Sequence, residues 1–193
     1  MKSLTAVSIV LLSALVAPAS AAPATLIEAV KAGDRAAVTR LLAAKADVGA
    51  TEADGTTALH WAVRADDEQM TALLVRAGAN AKAANRYGVT PLTLAAKTGN
   101  AAIVELLVRA GADPNTASPE GETVLMTAAR SGSVAAVKAL LARGANPNAK
   151  ESWLEQTALM WAAADNHAAI VSVLVENGAD INARAKAMTG PPR

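Results

Sequence analysis

The chain has no cysteine and no phenylalanine among its 193 residues, and only 2% of it is aromatic. The first absence removes disulfides, thiolate metal sites, catalytic thiols and lipidated cysteines. The second means that the core has to be built from Ala, Leu and Val at close spacing, which favours packed helices over aromatic-rich sheets. A surplus of charge is missing as well, since 18 Lys plus Arg face 17 Asp plus Glu. So even a balance lacks the cations that sequence-independent nucleic-acid binding draws on. With 52% hydrophobic residues the chain has ample material to fold.

Residues 1–21 read as a secretory signal: Lys2, an uncharged apolar stretch from Leu4 to Val16, then small residues at Ala19 and Ala21. The stretch falls short of the roughly 20 residues that span a bilayer. A core helix is the alternative reading, and Pro18 and Pro23 would interrupt it. Cleavage after Ala21 or Ala22 would remove Lys2 and leave 17 basic and 17 acidic residues, in a protein delivered to the periplasm or secreted.

What remains is organised by one period. TALH at 57–60, TPLT at 90–93, TVLM at 123–126 and TALM at 157–160 recur at intervals of 33, 33 and 34 residues. Gly78, Gly111, Gly144 and Gly178 recur at the same intervals, so two independent markers share one register. Each Thr stands where a hydroxyl can cap a helix, and Pro91 follows at a first position that needs no N–H. Ile103, Leu106 and Leu107 then form an i, i+3, i+4 stripe opposite Glu105 and Arg109, and Gly111 can take the left-handed conformation that ends it.

Residues 85–117, NRYGVTPLTLAAKTGNAAIVELLVRAGADPNTA, thereby resemble the ankyrin repeat family nearly throughout. The likeness is strong over 52–184 and weaker over 22–51. It implies an all-α solenoid of about five helix-turn-helix repeats joined by hairpin-like turns, with units near 22–51, 52–84, 85–117, 118–150 and 151–184 and a tail at 185–193. Units this short bury their apolar faces only by stacking, so stability belongs to the stack.

The two ends depart from the pattern. Arg40 replaces the apolar Leu73, Leu106, Ala139 and Val173 of later units, which reads as a polar cap. Lys45 stands where the others have Gly, so it must either accept a positive φ or end its helix differently. The fifth unit keeps Ile170, Val171, Val173, Leu174 and Val175 with no sixth unit after it. Its outer face would be covered by the tail or by another chain.

Chemistry is sparse. His60 and His167 fall where the resembled pattern carries structural histidines, three repeats apart, too far to share a metal or to act as base and orienter. Asp66, Asp67 and Glu68 begin a helix, where acids suit the dipole, without the alternating oxygen ligands of a calcium loop. Ser131 and Ser133 have no aligned base. No catalytic, phosphate-binding or metal motif is present, so neither enzymatic activity nor a cofactor is expected.

The resemblance implies a partner protein bound on the concave side, formed by the first helices and hairpin tips. Lys31, Arg64, Lys97 and Arg130 fall at one equivalent position there, a basic ladder that Ala164 breaks. Such a ladder is either a ligand site or a set of cations favoured at helix C-termini. Arg86 with Tyr87, and Trp153 with Leu154, fall in tips; Trp153 is either an exposed anchor or folds down as packing. Trp61 and Trp161 share one position on first helices, where packing is the expectation. The candidate binding residues are Arg64, Arg86, Tyr87, Lys97, Arg130, Trp153 and Leu154. A self-associating envelope protein, a homodimer through the apolar fifth unit, is the alternative.

Overall fold

The computed structural model describes residues 25–187. The expected signal at 1–21 and the end of the tail, 188–193, lie outside the described residues. Ten helices follow in pairs: α1 (Leu26–Lys31) and α2 (Arg35–Ala43), α3 (Ala58–Arg64) and α4 (Glu68–Arg76), α5 (Pro91–Thr98) and α6 (Ala101–Arg109), α7 (Val124–Ser131) and α8 (Val134–Leu141), α9 (Ala158–Ala164) and α10 (Ala168–Glu176). Each first helix packs beside the next first helix along the stack, and from α4 onward each second helix beside the next second helix. Among the described residues no strand forms; the hairpin turns contribute only the isolated bridges Thr51 to Thr57 and Ala117 to Thr123.

The period works through its smallest side chain. Ala29, Ala62, Ala95, Ala128 and Ala162 hold one position in the five first helices, and all are essentially buried. With no side chain beyond Cβ, the helices approach closely and the larger residues Leu59, Leu92 and Leu125 close the layer between them. The outermost unit does not complete this layer: Leu159 is only half-buried, Ala163 is exposed, and Val175 and Ile181 face solvent. Residues 185–187 of the tail are exposed and touch the stack through a hydrogen bond from the Lys186 N–H to the Leu154 carbonyl, 2.7 Å.

Caps fall where the sequence places them. The hydroxyls of Thr25, Thr57, Thr90, Thr123 and Thr157 each accept the third backbone N–H of a first helix, at 3.2 to 3.5 Å. The second helices are capped by Asp34, Asp67, Asn100 and Ser133, but α10 begins at His167 with no side-chain cap. Asp67 also receives Arg35 of the preceding unit at 2.9 Å, so the acidic cluster is accounted for by capping and pairing. Its neighbour Asp66 sits at φ 55 in the turn between helices. Lys45 takes the first of the two courses open to it, a φ of 60 where Gly78, Gly111, Gly144 and Gly178 lie between 86 and 96. Arg40 is exposed, as a polar end requires.

Candidate functional site

The four cations of the expected ladder stand at the C-terminal ends of the first helices. Lys31 and Arg64 close α1 and α3, while Lys97 and Arg130 lie one residue before the ends of α5 and α7; all four are exposed. They are not equivalent in chemistry. Lys31 is paired with Glu52, and Arg130 with Glu122 at 3.6 Å. Arg64 and Lys97 have no carboxylate partner among the described residues.

Two tryptophans sit among these cations, half-buried and packed against the core as expected. The Trp61 ring has the Lys31 ammonium 4.2 Å from its centre and the Arg64 guanidinium at 5.3 Å. Its indole N–H donates to Glu52 at 2.8 Å. The Lys31 ammonium, followed by that indole N–H, holds the Glu52 carboxyl below its ordinary range. Each cation over a ring is worth on the order of 1 kcal/mol. Trp161 repeats the arrangement in part, with Arg130 at 4.6 Å and its N–H donated to Gln156 at 3.0 Å. At the position of Arg64 the fifth unit has Ala164, so no second cation is available.

Between α3, α5 and the hairpin tips of the second and third units lies a concavity of about 420 Å³, lined by Asp54, Thr56, His60, Trp61, Arg64, Asn85, Tyr87, Val89 and Leu94. His60 forms its deep wall. Its Nε2–H donates to the Val89 carbonyl at 3.0 Å, while Nδ1 accepts the Thr57 N–H at 3.2 Å, and burial pushes its pKa down. The ring therefore ties the start of α3 in the second unit to the hairpin of the third. Asp54 stands on the rim, its carboxylate accepting the Thr56 N–H at 2.9 Å, which holds its pKa below the ordinary value. A larger recess of about 510 Å³ borders Thr25, the first described residue, where Lys31 and Glu52 neutralise each other.

The tips are joined from one unit to the next by backbone. Arg86 N–H donates to the Asp54 carbonyl and Ser152 N–H to the Glu120 carbonyl, both at 2.8 Å. Pro119 holds the intervening equivalent position and has no N–H to give. Tyr87 is 58% exposed, with the Arg86 guanidinium 4.8 Å from its ring centre and bonded to its hydroxyl at 2.6 Å. Trp153 is 81% exposed, which decides between anchor-like exposure and packing in favour of exposure. The cause is Glu151, whose carboxylate accepts the N–H groups of Trp153, Leu154 and Gln156 at 2.6, 2.7 and 3.0 Å and so folds the loop with the indole outward. Leu154 is half-buried.

The structure thus brings Arg64 and Tyr87 to one concavity, with Arg86 against the Tyr87 ring, places Lys97 on the adjacent helix, and leaves Arg130, Trp153 and Leu154 toward the far end of the stack. Trp61, read from the sequence as packing alone, and Leu94, which sequence reasoning passed over, also line the concavity; the available signal was their shared position three residues before Arg64 and Lys97. Among the described residues no helix is long and apolar enough to cross a membrane. No curated protein matches the chain. The family model of ankyrin repeats, built of three copies, matches residues 26–118 and 110–185. Repeats of this kind are generally modules for protein–protein interaction, and the paired helices and capped turns described above carry the same pattern. With most of its length covered in phase, the chain belongs to the ankyrin-repeat family.

Proposed function

We propose that the protein is a non-catalytic binding module that holds a partner protein on the concave face and hairpin tips of its stack. The observation that supports this most is the concavity framed by Trp61, Arg64, Tyr87 and Leu94, where aromatic and aliphatic surface stands open beside an unpaired guanidinium. Such a surface is preformed by the stack, so little ordering entropy is lost on association. His60, Ser131 and Ser133 are spent on structural hydrogen bonds, to Val89, Ala128 and Gly99 respectively, which favours binding over catalysis. The signal-like pattern of residues 1–21 supports export to the periplasm or beyond the cell. The test is affinity capture from envelope extract by the purified protein and by an Arg64→Glu, Tyr87→Ala variant. A partner retained by the first and lost by the second is expected; equal retention would move binding away from this face.

A second reading is self-association through the open end of the fifth repeat, which Val175 at 41% exposure and Ile181 at 68% favour. Sedimentation over a range of concentrations separates the two, since a concentration-independent monomer removes the dimer.

A further inference from the structure

The concavity between the second and third repeats differs from the rest of the inner face in how its charges are used. At the first repeat Lys31 is cancelled by Glu52, and at the fourth Arg130 is paired with Glu122. Between them Arg64 and Lys97 remain without a carboxylate, and Arg86 leans on the Tyr87 ring. Of the acids nearby, Glu52 is neutralised by Lys31, while Asp54 on the rim keeps its charge, held by the Thr56 N–H and opposed by Arg86. In a chain whose net charge is only +1, this is a local excess of positive charge gathered around an apolar floor of Trp61, Val89 and Leu94.

We propose that this concavity is a recognition site for an acidic, apolar peptide segment of the partner, one large apolar side chain seated on Trp61 and Leu94 with carboxylates reaching Arg64 and Lys97. The inference rests on the concave-face reading above and adds the chemistry of what is bound. Spacing sharpens it. Arg64 and Lys97 occupy equivalent positions on neighbouring packed helices, whose axes lie about 8–10 Å apart. A chain in the polyproline-II conformation advances about 3.1 Å per residue and returns every third side chain to one face, so acidic residues three positions apart match the two cations, with the apolar residue between them. A concavity of about 420 Å³ suits a side chain and its flanking backbone rather than a folded surface. Carboxylates here would meet cations whose pairing is not already satisfied, which gives selectivity for acidic over neutral or basic segments.

The test is selection of a random dodecapeptide library, displayed on phage, against the purified full chain, followed by affinity measurement on synthetic copies of the enriched peptides. The expected result is enrichment of Asp or Glu about three positions apart around a large apolar residue. Arg64→Glu should then weaken binding about tenfold and Lys97→Glu about three- to fivefold, with a further loss at high salt. Arg64, Lys97 and Tyr87 are exposed, so their variants keep the fold, which circular dichroism verifies. Enrichment of neutral or basic peptides, no enrichment, or indifference to both charge reversals and salt overturns the proposal. Peptides that lack acids yet lose affinity on Tyr87→Ala would sink this inference alone and leave the concave-face reading standing. Acidic peptides indifferent to Arg64, Lys97 and Tyr87 together would sink both.

Discussion

Trp61 and Trp161 stand at the same position of the second and fifth repeats, and their surroundings differ in ways that decide what each can do. Trp61 lies near two cations, shares a concavity with Tyr87 and Leu94, and has a unit on either side of it. Trp161 has one cation, itself paired with Glu122, and belongs to the last unit, whose outer layer is open. The surroundings of a repeated residue therefore follow from its neighbours along the stack rather than from its place within the repeat.

The largest expected difference between the two is in partner binding. Trp61→Ala should cost about 30-fold or more in affinity, as truncation of a central aromatic anchor does, while Trp161→Ala should cost about threefold at most. Equal losses would erase the distinction. The next comparison concerns caps. Asp67→Ala removes the cap of α4 and the partner of Arg35, and should destabilise by about 1–2 kcal/mol in chemical denaturation. At the equivalent position of the fifth repeat, His167→Asp supplies the missing cap and should stabilise by about 0.5–1 kcal/mol.

Lys45→Gly should stabilise by about 1 kcal/mol, because glycine relieves the positive φ, and raise the midpoint by about 3 °C. An unchanged or lower midpoint would count against the strain assigned there.

The smallest effect comes from the titration of His60, which costs stability only as pH falls below neutral. Burial lowers its pKa in the folded protein, with the Val89 carbonyl and Asp54 pulling the other way. Unfolded histidine titrates near about 6.5, so below that pH the unfolded chain takes up more protons. Its contribution is full above about pH 6.5 and is lost as pH falls toward the depressed folded value. The fifth repeat has Met160 in its place, so His60→Met should flatten stability between about pH 7 and 5. A persistent slope in that variant would assign the dependence elsewhere.

The period, the threonine caps and the demand on Lys45 were legible in the sequence because each is local: an N-cap hydroxyl reaches three residues, and a left-handed turn concerns a single φ. The ladder was legible as positions but not as chemistry. Whether Lys31 is free depends on Glu52, which arrives from the hairpin of the next repeat, 21 residues away. Trp61 packs against the core as expected, but the cations that its ring meets come from two units, which its place in the repeat does not reveal. Trp153 was open to two readings until the carboxylate of Glu151 folded the loop around itself. Contacts made across repeats follow from how the units stack, and no spacing within one repeat encodes them.

The most direct measurement is photo-crosslinking in the cells that make the protein, with a benzophenone amino acid placed at Tyr87 beside the concavity or at exposed Arg143 after α8. The account predicts a discrete adduct with a partner protein from position 87, suppressed by Arg64→Glu, and none from position 143. Adducts from 143 alone, or from 87 regardless of Arg64, would contradict it.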